Sequence, residues 1–291
     1  MIGRVLKKHG GFYNVAVMNE IYECKLSGKQ KYKQKNYISA GDFVEFILDS
    51  SEEQGYITSV QERVNFIPRP GIANIDQILI VAAIKEPSYD FLLLDKLISI
   101  ANYFNIEPTL CFSKMDIGST EDRAIVESYY RNTNINIMFF GKNASMDLLE
   151  AYLEGKTTVL TGNSGVGKSS LINKLLNKNI QAVQDISMKL NRGKNTTRTA
   201  EFFSYKGGFI VDTPGFSALD FSQDMNRVDL KELYLEYRKQ SELCHFNNCV
   251  HINEPNCEVK KLVEEDIFSK ERYCNYVKLY QELANRERMR K

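Results

Sequence analysis

The chain has 291 residues, long enough for two or three domains. Hydrophobic residues make up 43% and charged residues 26%, ordinary globular usage that argues against a disordered, collagen-like or coiled-coil chain. With 38 Lys and Arg against 37 Asp and Glu, the formal charge is +1, so any affinity for nucleic acid has to come from local patches. The longest apolar run, 78–84, is far short of the roughly 20 residues that span a bilayer. The opening MIGRVLKKHGGF lacks the apolar core of a secretory signal. Six cysteines without such a signal point to thiols or metal ligands, not disulfides. The expectation is a soluble, cytoplasmic, monomeric protein with no membrane partner.

Residues 2–7, 13–18, 21–26, 43–48 and 55–60 read as five strands rich in Val, Ile, Tyr and Phe. Gly10-Gly11, Ser27-Gly28 and Ala40-Gly41 punctuate them as turns. This predicts an N-terminal OB-fold β-barrel over residues 1–66, a fold whose face and loops often bind oligonucleotides. After the third strand, Lys25, Lys29, Lys31, Lys33 and Lys35 surround Tyr32 with no acid among them. Lys29, Lys31, Tyr32, Lys33 and Lys35 are therefore candidate RNA contacts, with a plain solvated loop as the alternative. Ile67-Pro68-Arg69-Pro70-Gly71 reads as a stiff linker, because two prolines interrupt any strand or helix.

The pattern then changes. Residues 74–84 form a continuous apolar strand, and 90–104 place Phe91, Leu94, Leu97, Ile98 and Ala101 on one helical face. A strand at 109–112 precedes a helix announced by Ser119 with Asp122 and running to about residue 132. Strands at 135–140 and 157–161 flank a short helix, and 209–212 is one more strand. Apolar strands alternating with helices predict a mostly parallel α/β domain over residues 71–221. Beyond Phe221 strands disappear, leaving helices at 226–239 and 269–288 in a C-terminal helical domain, 222–291. In the last helix Tyr273, Tyr276, Val277, Tyr280, Leu283 and Ala284 form a stripe best read as core packing.

Gly162-Asn163-Ser164-Gly165-Val166-Gly167-Lys168-Ser169, followed by Ser170, fits G-x-x-x-x-G-K-[ST] between a strand and a helix. Glycine amides and the helix N-terminus surround phosphate, Lys168 neutralises the β- and γ-oxygens, and Ser169 holds Mg²⁺. Asp212-Thr213-Pro214-Gly215 ends the strand 209–212, where a carboxylate reaches Mg²⁺ through water and the Gly215 amide meets the γ-phosphate. Thr196 and Thr197 lie in a polar segment between these motifs, and Thr197 is the better placed to complete the Mg²⁺ shell. Ser113-Lys114-Met115-Asp116 follows a strand, as a guanine loop does. Guanine offers the N1–H and N2–H₂ donors, two hydrogen bonds for one carboxylate, and adenine does not. Asp116 is the reader and Lys114 covers the base, while Ser113 stands where N-K-x-D motifs have Asn and can tether the loop with one bond. This loop precedes the phosphate loop, whereas ordinary GTPases have it afterwards, so the connectivity is circularly permuted. The γ-phosphate segment then joins the C-terminal helices almost directly, which predicts that nucleotide state moves those helices as a unit through 216–221.

Cys244-x₄-Cys249-x-His251-x₅-Cys257 sets four ligands within 14 residues, a closed tetrahedral pattern for one structural Zn²⁺. His245 is a conceivable substitute ligand. Cys24, Cys111 and Cys274 read as small core residues.

Taken together, RPGIANIDQ, GNSGVGKSSLIN, DTPGF and the cysteine knuckle resemble the ribosome small subunit-dependent GTPase A family (RsgA, also called YjeQ), over essentially the whole chain. The resemblance implies a Mg²⁺-dependent hydrolase of GTP to GDP that acts in late maturation of the small ribosomal subunit, is stimulated by that subunit and binds its rRNA. It departs at Asn195, where the family has His, and at Ser113. Phe216 after DTPG fits the family, and neither Phe216 nor Asn195 can activate water. Slow turnover by the isolated protein follows. A GTP-regulated binding module, or an ATP-dependent kinase or motor, are the competing readings.

Overall fold

The computed structural model describes residues 1–18, 20–27, 38–49, 54–142, 144–180 (side chains to 176), 200–213 and 220–290. They fall into two compact units: residues 1–78, 147–161 and 168–217, and residues 79–146, 162–167 and 218–291.

In the first unit, β1 (Ile2–His9), β2 (Phe12–Val17), β3 (Glu20–Leu26), β4 (Phe43–Asp49) and β5 (Gln54–Val60) close a barrel in the order β1-β2-β3-β5-β4. Alternation puts Val5, Tyr13, Val15, Val44, Phe46 and Ile57 inside, as period-two strands require. Only β3 and β5 run parallel; the other pairs are antiparallel. The RNA-contact candidates Lys29, Lys31, Tyr32, Lys33 and Lys35 lie outside the described residues.

The expected linker is part of the packing. β6 (Phe66–Ile67) and β7 (Ile72–Ala73) pair antiparallel around the two prolines, and Ile67, Ile72 and Ala73 are buried. The prolines occupy the turn, where the missing N–H costs nothing. Strand β8 (Gln77–Ala83) starts later than the apolar run suggested. Asn74 has φ 56° and Asp76 turns its carboxylate to the Thr157 N–H (2.7 Å), so 74–76 are a bend. In this unit β11 (Thr157–Thr161) pairs parallel with β13 (Gly208–Asp212), and β12 (Glu201–Tyr205) pairs antiparallel with β13. Sequence reading missed β12, although Lys206 and Gly207, both with positive φ, make the tight turn of a hairpin between FFSY and GFIV. Helix α4 (Lys168–Ile180) follows the phosphate loop.

In the second unit, β9 (Glu107–Ser113) and β10 (Asn136–Phe139) pair parallel. Helix α1 (Phe91–Tyr103) starts where Asp90 accepts the Leu92 N–H, and buries Leu94, Leu97, Ile98 and Ala101 as its periodicity predicts. Helix α2 (Thr120–Tyr129) has the expected capping box, Ser119 with Asp122. Helix α3 (Asp147–Leu153) belongs to the first unit.

The predicted helix 226–239 is broken. A 3₁₀ turn (Arg227–Asp229), α5 (Leu230–Leu233) and α6 (Leu235–Gln240) meet at Tyr234, whose ψ of 89° leaves the helix. That bend buries the Tyr234 ring against Tyr237 and Tyr276, with the Arg272 guanidinium 4.5 Å from its centre. Helices α7 (Glu258–Glu264) and α8 (Lys270–Met289) complete the chain. The aromatic stripe of α8 faces the core, as expected. Cys24 and Cys111 are buried, whereas Cys274 is exposed because it lies on the outer face of α8.

The C-terminal helices are not a free body. Arg272 of α8, buried, pairs with Asp95 of α1 and with Glu236 of α6 (2.7 Å). Asp95 also accepts a bond from Tyr129 of α2 (2.5 Å). Lys96 binds Asp220 and Glu282, and Phe221 sits in the same core. Moving 222–291 as a separate unit would strand buried charges, each costing several kcal/mol, roughly 3–5 for a broken pair. These helices belong to the same compact unit as residues 79–146.

Candidate nucleotide site and metal centre

Strand β9 ends at Ser113, which is buried and donates its hydroxyl to the Val166 carbonyl at 2.6 Å, with the Ala82 carbonyl at 3.2 Å. The loop 113–116 is thereby tethered to the phosphate loop through the one proton a serine hydroxyl can donate, the Val166 carbonyl being the nearer acceptor. Lys114 adopts φ 61° and its amine meets the Glu86 carbonyl. Asp116 is exposed, and its Oδ1 accepts the Lys142 N–H at 2.8 Å. Gly141 lies so close that a Cβ there would meet Asp116 N at 3.0 Å and Oδ1 at 3.2 Å. Sequence reading missed Gly141 and Lys142; they lie about 25 residues away in the chain, and only parallel pairing of β9 with β10 brings them beside Asp116.

In the same unit the phosphate loop needs its first glycine for two reasons. Gly162 has φ 137°, and a Cβ would stand 2.0 Å from the Val81 carbonyl. Gly165 and Gly167 also have positive φ, while Val166 is buried and anchors the loop. Asn163 is half-buried and Ser164 exposed.

In the first unit, Lys168 opens α4 and is half-buried, with Ser169 and Ser170 exposed beside it. Burial pushes the Lys168 amine below its ordinary range, and Asp212 opposes the shift. Asp212 ends β13, and Thr213 is buried with its hydroxyl 3.5 Å from the Leu160 carbonyl. A lysine beside a strand-end carboxylate is the pair that phosphate and Mg²⁺ need. Thr196, Thr197 and Gly215 lie outside the described residues, as do Asn195 and Phe216.

Cys244, Cys249, His251 and Cys257 come together in the second unit, all buried, their ligand atoms within 4.8 Å of one another. His251 Nδ1 is 3.6, 3.4 and 3.3 Å from the three sulfurs, and Cys244 Sγ is 3.9 Å from Cys257 Sγ. A tetrahedron with metal–sulfur bonds near 2.3 Å has edges of about 3.8 Å, so the cluster fits one ion. Burial holds the imidazole at about 4, leaving it neutral with a lone pair to donate. Burial also pushes the Cys249 thiol up to about 12, a preference that a bound dication reverses. His245 is exposed and outside the cluster.

A second layer fixes the ligands. Ser241 Oγ lies 3.1 Å from His251 Nε2, and Tyr273 and Tyr276 donate to the carbonyls of His251 and Val250. Glu254 accepts the N–H groups of Val250, Ile252 and Asn253 at 2.9–3.1 Å, which shapes the loop carrying Cys249 and His251. Glu254→Gln swaps one acceptor for a donor facing N–H groups. Metal affinity is expected to fall about tenfold, read by chelator competition.

A closed five-stranded barrel followed along the chain by a glycine loop between a strand and a helix defines the class, a P-loop GTPase with an N-terminal barrel. The sequence profile of the RsgA GTPase family matches residues 60–222, and that of the RsgA N-terminal domain matches 2–57. A small ribosomal subunit biogenesis GTPase RsgA from Clostridium botulinum (strain Eklund 17B / Type B) is 37% identical over 290 residues, covering 99% of both chains. The protein of that name from Bacillus cereus (strain ATCC 10987 / NRS 248) is 39% identical over 290 residues, 98% of each. Among solved structures, YloQ, a circularly permuted GTPase, matches with TM-score 0.81 and 31% identity, covering 98% of this chain and 95% of that one. YjeQ from Thermotoga maritima matches with TM-score 0.79 and 30% identity, over 97% and 98%. The chain belongs to the RsgA GTPase family and is a GTP hydrolase.

Proposed function

We propose that this chain binds the small ribosomal subunit and hydrolyses GTP during its late maturation, slowly alone and faster on the subunit. The name carried by relatives of 37–39% identity over nearly their full length supports the ribosomal role. The observation that carries the nucleotide reading is the Ser113–Val166 bond, because it ties a base loop to a phosphate loop. Ser113, Lys114, Met115 and Asp116 hold the guanine; Gly162 to Ser170 hold the phosphates. Ser169, Thr196, Thr197, Asp212 and Gly215 hold Mg²⁺ and sense the γ-phosphate. Bound Mg²⁺ supplies charge neutralisation on the β- and γ-oxygens. Lys168 adds a second positive charge there, and Asp116 orients the nucleotide from its base.

The Cys₃His cluster takes one structural Zn²⁺, since three thiolates and an imidazole leave no open position. The barrel, through Lys29, Lys31, Tyr32, Lys33 and Lys35, and the zinc module contact rRNA. Residues 1–66, 71–221 and 222–291 are modules of function that do not coincide with the two packing units. The protein works as a cytoplasmic monomer; among the described residues no helix is long and apolar enough to cross a membrane.

Ser113→Ala removes the tether, and nucleotide affinity is expected to drop about fivefold, one neutral hydrogen bond's worth, measured with a fluorescent GDP. The ribosomal reading is tested by sedimentation. The protein should travel with small subunits in a non-hydrolysable GTP analogue and leave them in GDP, and it should ignore large subunits. Equal binding to both subunits would overturn the reading.

A further inference from the structure

The first unit carries a buried charge that nucleotide chemistry does not use. Arg4 lies on β1 of the barrel and is 9% exposed. Its Nη1 donates to Thr157 Oγ1 at 2.6 Å and its Nη2 to the Asn74 carbonyl. The rings of Phe43, Phe202 and Phe209 surround the guanidinium at 5.2–5.5 Å. Its Nε has no hydrogen-bond partner among the described residues. Burial lowers this group to about 10, with Asp76 opposing the shift. A guanidinium held at that cost of desolvation is a strong constraint on whatever it touches.

What it touches is specific. Phe43 belongs to the barrel, Phe202 to β12 and Phe209 to β13, and Thr157 begins β11 directly opposite Phe209. Strand β13 ends at Asp212, and β11 leads along the chain toward the phosphate loop and Lys168. Along the strands, Thr161 is about 13 Å from Thr157 and Asp212 about 10 Å from Phe209, four and three residues of extended chain. The planar fork serves two acceptors and three ring faces at once, which a lysine cannot do.

We propose that Arg4 is a positioning residue that couples the barrel to the phosphate end of β11 and β13. A shift of Asp212 or Lys168 on nucleotide binding reaches the barrel through Thr157 and Phe209. A ligand on the barrel reaches Asp212 by the same route, since coupling is reciprocal. The proposal rests on nucleotide binding at Lys168 and Asp212.

The test is amide hydrogen exchange on the full chain with and without Mg²⁺·GDP. In the parent protein GDP should slow exchange both at 162–168 and in β1 and β4, the latter about fivefold or more. In Arg4→Met, 162–168 should remain protected by GDP while the response of β1 and β4 is lost; Arg4→Lys should fall between. Thr157→Val, which removes one acceptor at nearly constant shape, should weaken the response if Arg4→Met does not fold. An unchanged barrel response in the folded variants overturns the proposal. Absence of protection at 162–168 in the parent overturns the nucleotide reading, and the proposal with it.

Discussion

Replacing Asp116 by asparagine is expected to lower GDP and GTP affinity about 10²- to 10³-fold and to make xanthosine nucleotides the better ligands. Two hydrogen bonds to a charged acceptor are lost, each worth about 1.5–3 kcal/mol, and an amide donor is left facing guanine's own donors. Xanthine carries a carbonyl at position 2, which accepts from that amide. The Lys142 N–H holds Oδ1 in place and Gly141 leaves room for the carboxylate, so the substitution acts on a fixed group. Competition between fluorescent GDP and unlabelled GDP, XDP and ADP reads the swap. Unchanged discrimination in Asp116→Asn would mean that another residue reads the base.

Removing the metal is expected to have the largest effect on stability. Apparent binding energies of structural zinc are about 10 kcal/mol or more, comparable to the whole stability of a typical domain. Here the ligands sit inside a core built from Tyr234, Tyr237, Phe268, Tyr276 and Leu279. Stripping the ion, or making Cys257→Ser, should lower Tm by about 10 °C or more. Loss of amide protection should begin at 249–257 and spread along α8. It should then reach α1, because Arg272 carries the load to Asp95. Cys274→Ser, on an exposed residue, is the control and should change nothing. Unaltered melting after verified metal removal would show that the knuckle is held by packing alone.

What could be read from the sequence was local. The phosphate loop, the Ser119–Asp122 capping box and the Cys₃His spacing are each written within about fifteen residues, and each appears in the structure where expected. The alternating strands likewise gave the barrel, since inward positions repeat every second residue. The place of Ser113 at the end of β9 was legible too, whereas its partner, the Val166 carbonyl, lies 53 residues further along the chain.

What could not be read depended on distant partners. Nothing near Tyr234 announces a break, because the cause is Arg272 and Tyr276 some forty residues on. Arg4 looks like an ordinary strand-end charge until Thr157 and the phenylalanines of β12 and β13 surround it. The two prolines suggested an independent barrel, yet β6 and β7 fold into the same unit as β11 to β13. Packing therefore groups the barrel with Lys168 and Asp212, and the zinc knuckle with Asp116, a division that no composition shift marks.

The most direct test of the account is GTP turnover measured with purified small subunits, with large subunits and with neither. Slow release of phosphate alone, rising at least tenfold with small subunits only, is the predicted outcome; a tenfold gain is about 1.4 kcal/mol of barrier. Rapid turnover by the isolated protein, or equal acceleration by both subunits, would contradict it.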